Sequence, residues 1–172
     1  DWFTYPKLYS MMVLKFPSNS HFVEIGTWKG MSASFMAVEI INSGKDIRFD
    51  CIDNWEYIDN EFGIEEKLYE NLHDIFLKNI EPVKHVVNPT KSLSWEGARS
   101  YDDGSLDFVF IDAGHDYDSV KRDLEAWYPK VRGGGIIGCH DYAYCDGVTQ
   151  AVDEYFDGKT VNGLEGCWII FK

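Results

Sequence analysis

Residues 21–30, HFVEIGTWKG, constrain the fold of this chain more than any other stretch. Phe22, Val23 and Ile25 form an apolar run of strand length, and Gly26 stands where the chain must turn sharply. Residues 31–41 (MSASFMAVEII) then read as a helix that is apolar on nearly every side and is therefore expected to be covered by neighbours. A strand, a glycine turn and a buried helix place backbone N–H groups and the positive end of a helix dipole at the carboxyl edge of a strand, which makes a ligand seat. The order Glu24-Ile25-Gly26-Thr27-Trp28-Lys29-Gly30 is not GxGxxG. Thr27 and Trp28 fill the region that a dinucleotide's diphosphate needs open, which argues against a nicotinamide cofactor. The turn alone does not choose between a ligand-free tight turn and a cofactor seat.

Composition narrows the partners. A chain of 172 residues is expected to form one domain, 1–172, and one of this size buries about 70% of its unfolded surface. The net charge of −13 disfavours a nucleic-acid or anionic-membrane surface, because both reward clustered Lys and Arg. The expected partner is a small, neutral or cationic molecule, with homo-oligomerisation left open. Cys51, Cys139, Cys145 and Cys167 show no CxxC spacing and sit mostly in apolar runs, so reduced core thiols are expected rather than a zinc site or disulfides. Neither a signal peptide nor a long apolar segment is visible, and Asn88-Pro89-Thr90 carries proline in the forbidden position of a glycosylation site, so the expected location is cytoplasmic. The chain begins at Asp1 rather than a methionine, which leaves an upstream segment open.

Taken in order, residues 4–16 offer Thr4 as an N-cap, a proline in the first turn and Leu8, Met11, Met12 and Phe16 at helical spacing. The core is expected over 21–172. A second strand over 47–52 ends in Asp53, an acid placed to bind the two hydroxyls of a nucleoside's ribose, with Trp55 available to stack on its base. The acidic, aromatic stretch 54–62 is expected to border an acceptor pocket. A helix over 67–80 and a third strand over 83–87 follow, then a turn through Thr90-Lys91-Ser92. Residues 106–111 (LDFVFI) form a strand delivering Asp112, Gly114 and His115, and Asp116 caps the next helix. Arg132-Gly133-Gly134-Gly135 is expected to reverse the chain before a strand over 136–139, which delivers His140 and Asp141. A helix starting near Asp146 and a hairpin around Gly163 close the chain.

Neighbouring parallel strands thus present Asp112, His115, His140 and Asp141 at the same edge as the glycine turn. Carboxylates and imidazoles at strand tips can hold a divalent cation and leave positions open for substrate. Such a cation lowers the pKa of a bound hydroxyl, and His115 is the natural base to take its proton. The same residues are compatible with a simpler arrangement in which Asp112 binds the amino group of the cofactor, Asp141 caps a loop and the histidines are ordinary hydrogen-bonders.

In this order and spacing FVEIGTWKG, the acid of CIDNW, FIDAGHDYDSVKRDLEAW and GGGIIGCHDY resemble the class I S-adenosyl-L-methionine (SAM) methyltransferases related to macrolide-sugar O-methyltransferases, and more remotely the catechol and caffeoyl type. The resemblance implies an α/β, three-layer Rossmann-like fold: a mostly parallel seven-stranded sheet whose antiparallel last strand lies beside the fifth. It implies that Glu24, Gly26 and Gly30, with Thr27 in the same turn, shape the methionine pocket and that Asp53 holds the ribose. Ser92 would contact the adenine, Asp112, His140 and Asp141 would be metal ligands, and His115 the base. The position of His140 usually carries an oxygen ligand for magnesium, so a histidine there weakens the case for magnesium and leaves a manganese- or iron-like ion, or no ion, open. The expected activity is O-methyl transfer from SAM to a hydroxylated small molecule such as a sugar. A SAM-binding protein without catalysis and a nicotinamide oxidoreductase are the alternatives.

Overall fold

The computed structural model describes residues 2–56, 70–157 and 162–172. The elements run α1 (Pro6–Lys15), β1 (His21–Ile25), α2 (Met31–Ser43), β2 (Arg48–Asp53), α3 (Leu72–Ile80), β3 (Val87–Lys91), α4 (Ser94–Gly97), β4 (Leu106–Ile111), α5 (Tyr117–Trp127), β5 (Val131–Cys139), α6 (Asp146–Tyr155), β6 (Asn162–Leu164) and β7 (Cys167–Phe171). Most of the stretch 54–62, the beginning of the helix expected over 67–80, and the first residues of the last hairpin lie outside the described residues.

Seven strands form one sheet in the order β3-β2-β1-β4-β5-β7-β6. The pairs from β3 to β5 are parallel, and β7 runs antiparallel to both β5 and β6, as the resemblance implies. Two apolar cores cover its faces. One gathers α1, α2 and α3 around Phe22, Phe49, Phe108 and Phe110; the other gathers α5 and α6 around Val23, Val109, Ile137 and Trp168. The alternation of Phe22 and Val23 to opposite cores is the period of two that a strand buried on both sides requires. Each fully buried Leu, Ile or Phe contributes about 1.5–3 kcal/mol.

Several expectations need correction. The third strand is not 83–87 but Val87–Lys91, an edge strand exposed after Val87, which is why Pro89 is tolerated in it. Thr4 does not cap α1; the amides of Lys7 and Leu8 donate to Glu165 Oε2 at 3.0 and 3.2 Å, so the cap comes from the β6–β7 turn. The glycines 133–135 do not reverse the chain. β5 already starts at Val131, and the run forms an irregularity between the pairs Leu106–Val131 and Phe108–Ile136. The last hairpin turns at Glu165-Gly166, not at Gly163. α2 is covered on one face only: Ala33, Met36, Ala37 and Ile40 are buried, whereas Met31, Val38 and Ile41 are exposed. Cys51, Cys139 and Cys167 are free, and burial pushes their thiols up.

Candidate functional site

The backbone ladder continues one step past the strand ends and fixes how their tips align. Gly26 N donates to Ile52 O at 2.9 Å, Asp112 N to Ile25 O at 2.8 Å and His140 N to Ile111 O at 3.0 Å. Gly26, Asp53, Asp112 and His140 therefore lie along one carboxyl edge, and a cavity of about 1240 Å³ opens over it. Its lining includes Gly26, Thr27, Asp53, Ser92, Asp112, His115, His140 and Asp141.

Gly26 is the closest approach in this edge. With φ of +81° it occupies left-handed backbone, and a Cβ built on it would lie 2.0 Å from the Asp112 carbonyl oxygen. Glycine is required there because no side chain fits between the turn and the tip of β4. Asp53 braces the same turn: its Oδ2 accepts from the amides of Thr27 (2.8 Å) and Trp28 (2.9 Å), and its Oδ1 from the amide of Trp55 (2.7 Å). Burial raises its pKa, opposed by those same N–H groups. The amide of Asn54 adds to them, so backbone N–H groups of the turn take up most of the four or so acceptor positions of the carboxylate. Three non-glycine residues lining the cavity, Trp28 (φ 47°), Asp141 (φ 59°) and Glu165 (φ 54°), also hold left-handed backbone, a strain that persists only where surrounding contacts impose it.

Opposite the turn, two carboxyl groups, two imidazoles and a tyrosine interlock. His140 Nδ1 donates to Asp141 Oδ2 at 3.0 Å and lies 3.5 Å from Asp112 Oδ1, while its Nε2 donates to Thr4 Oγ1 at 2.9 Å. Burial pulls the His140 pKa down, but the hydrogen bonds and charges of Asp112 and Asp141 outweigh it and push it up to about 9. Burial pushes Asp141 up, yet the bonds from His115 and His140 win and hold its carboxyl well below the usual range. An ionised Asp141 accepts only, so His115 Nε2, 2.9 Å from its Oδ2, must donate, and in the neutral ring the basic lone pair is then on Nδ1. Tyr5, buried at the start of α1, donates its hydroxyl to Asp112 Oδ2 at 2.7 Å.

Among the sequence-derived candidates, Gly26, Thr27, Asp53, Ser92, Asp112, His115 and Asp141 converge on the cavity. His140 also lines it, but it falls outside the group of donors spaced for one ion, and its ring nitrogens bond to Asp141 and Thr4 instead. Trp55 is corrected as an adenine platform. It is 4% exposed, stacks on His73 at 4.4 Å, donates its indole N–H to Trp28 O at 3.0 Å and does not line the cavity. Glu24 and Gly30 also lie beneath the cavity rather than in its wall. Glu24 accepts from Ser32 Oγ, and burial pushes its carboxyl up to about 8. Gly30, at φ +83°, begins α2 where a Cβ would meet Phe76. Sequence reasoning missed Thr4 and Tyr5, whose contacts bridge more than a hundred positions, and Asp123, a buried acid in the cavity wall. Only Asp123 left a signal, an acid one turn from Val120 and Trp127 on the apolar face of α5.

One oxygen or nitrogen each from Asp112, His115 and Asp141 lie within 4.8 Å of one another. Donors around a single divalent ion at about 2.0–2.4 Å are separated by at most about 4–5 Å, so the trio fits such an ion in spacing and in its mix of carboxylate and imidazole. SAM is tested by the same geometry. A turn that excludes a Cβ, an acid at the tip of β2 and a cavity spanning both suit an amino-acid tail joined to a nucleoside.

A sequence model of the family described as a methyltransferase domain matches residues 23–142, from β1 to just past the β5 tip. No curated protein sequence matches the chain. Among solved structures, the O-methyltransferase NovP superposes with a TM-score of 0.74 at 18% identity, over 97% of this chain and 78% of that one. CalS11, a TDP-rhamnose 3′-O-methyltransferase of calicheamicin biosynthesis, gives 0.63 at 15% identity over 96% and 76%. An rRNA methylase from Streptococcus thermophilus gives 0.65 at 11% identity over 96% and 94%. At these identities the likeness is one of fold.

Proposed function

This chain belongs to the methyltransferase-domain family, in the class I SAM-dependent group, and on that premise we propose that it transfers a methyl group from SAM to a hydroxyl oxygen of a small acceptor, with a sugar as the leading class. The observation that carries this reading is the meeting of the Gly26 turn with Asp112, His115 and Asp141 in one cavity, so that a donor seat and a proton acceptor share a wall. SAM, when bound, supplies an electrophilic methyl on a sulfonium. The chain's own residues align it and prepare the oxygen, and alignment of this kind is worth up to about 7–11 kcal/mol of the barrier.

Gly26 and Thr27 border the methionine end and Asp53 the ribose. His115, oriented by Asp141 through Nε2, takes the acceptor's proton on Nδ1. Asp112 and Asp141 would hold a divalent cation, which lends positive charge to the acceptor hydroxyl and lowers its pKa. The spacing of the trio also favours a second reading, in which His115 is a third ligand instead of the base. The two readings differ in one measurement: a ligand's loss weakens metal binding, whereas a base's loss leaves it unchanged and stops turnover.

A small acceptor is favoured over RNA, the substrate named for one structural neighbour, because a net charge of −13 repels a phosphate backbone. The test is transfer from methyl-labelled SAM to a panel of sugars and phenols, with manganese, with magnesium and with chelator. Labelled ether product that falls on chelation supports the full reading. Binding without product on any acceptor points to a SAM-binding protein, and product unaffected by chelation removes the cation from the scheme.

A further inference from the structure

The wall of the cavity contains an acid that methyl transfer as described does not use. Asp123 projects from the buried face of α5, is 1% exposed and lines the cavity. Its neighbours leave it incompletely satisfied. The Trp127 indole, which can only donate, gives its N–H to Ser94 Oγ at 3.2 Å, and this leaves the Ser94 hydroxyl proton to be donated in turn. A hydrogen bond with Ser94 does favour the ionised form of Asp123, but burial outweighs it and pushes the carboxyl up to about 7. Asp123 Oδ1 has no hydrogen-bond partner among the described residues. Arg122, the adjacent cation, lies with its guanidinium 4.3 Å over the Trp95 ring. A buried acceptor left without a donor is costly, and such groups in native proteins call for an explanation.

The order of groups along the cavity indicates what the missing donor is. From the Gly26 turn the wall passes to Asp53, then to Ser92, whose amide donates to Asp53 O at 2.9 Å, then to Ser94 on α4 and across to Asp123 on α5. If Asp53 takes the ribose, the next part of the ligand is its base, and the base of SAM carries an exocyclic amino group. We propose that Asp123 is the residue that recognises the purine of the cofactor, its Oδ1 accepting an N–H from that amino group, with Ser94 holding the carboxyl in place. This rests on the SAM reading above and adds to it the element that selects adenine.

The test is calorimetric binding of S-adenosylhomocysteine and of its 6-deamino analogue, in which hydrogen replaces the amino group, to the wild-type protein and to Asp123→Ala. A site built around a hydrogen bond rejects the analogue that lacks it, so wild type should bind S-adenosylhomocysteine about 10-fold or more tightly than the analogue, and Asp123→Ala should bind the two alike. A variant that folds and keeps the full preference overturns the assignment. Should Asp123→Ala fail to fold, the wild-type ratio decides alone, since equal affinity for both ligands removes any reader of the amino group. Failure of wild type to bind either ligand overturns the SAM reading itself, and this proposal with it.

Discussion

Replacing Gly26 with alanine tests whether the turn and the tip of β4 are packed as tightly as the geometry requires. A Cβ at Gly26 would lie 2.0 Å from the Asp112 carbonyl oxygen, 2.5 Å from its carbon and 2.8 Å from Ala113 Cα, all backbone atoms that no rotamer change can move. The left-handed φ of +81° adds about 1–2 kcal/mol for any L side chain, and forcing an extra methyl into a filled space adds about 1–3 kcal/mol. A total of about 2–5 kcal/mol corresponds to a fall of roughly 4–20 °C in Tm for a chain of this length. Gly44 is the matched control, because it has φ of +67° at the end of α2 but nothing within 4 Å of the added Cβ. Gly44→Ala should carry only the backbone cost, about 1–2 kcal/mol, and leave the site untouched. Thermal denaturation of both variants, followed by calorimetric titration with S-adenosylhomocysteine, reads the difference. Gly26→Ala should melt well below Gly44→Ala and lose ligand affinity by at least tenfold. Equal melting of the two variants, with affinity retained in both, would refute the argument that this contact shapes the seat.

Three further outcomes follow from the same geometry. His115→Ala should abolish methyl transfer while leaving affinity for S-adenosylhomocysteine within about twofold, measured by turnover and calorimetry on the same preparation; joint loss of both counts against the base. Tyr5→Phe removes the hydroxyl that donates to Asp112 at 2.7 Å, and should lower stability by about 1–2 kcal/mol in urea unfolding; an unchanged midpoint would show the bond to be without weight. Glu24, pushed up to about 8, holds its proton in the folded state more tightly than in the unfolded chain, so its contribution is fully present below about pH 4.5 and is lost as pH rises towards 8. Glu24→Gln should therefore gain in Tm relative to wild type across that window, and a constant difference would contradict the buried, raised carboxyl.

Legibility in the sequence followed burial. β1 and β4 are buried on both faces, so their apolar runs could be read within a residue of their observed bounds. β3 was misplaced because an exposed edge strand carries no apolar pattern, and Val83 and Val87, taken as a strand's ends, belong to a helical turn and to the true strand's first residue. The tips Asp53, Asp112, His115 and Asp141 were readable because a strand's end places its next side chains on a known edge. What they bond to was not. That His140 is a cation held by two acids and Thr4, and that Trp55 fills core space beside Phe76 instead of facing the cavity, depend on contacts between distant segments. The exposed Val38 and Ile41 show the same limit, since an apolar helix does not declare which of its faces the fold leaves uncovered.

The central claim, that a SAM-type ligand sits over the Gly26 turn, is tested most directly by calorimetric titration of the wild-type protein with S-adenosylhomocysteine, repeated with added manganese. The account predicts saturable binding of one ligand per chain. No binding heat under either condition, at ligand concentrations up to the millimolar range, would contradict it.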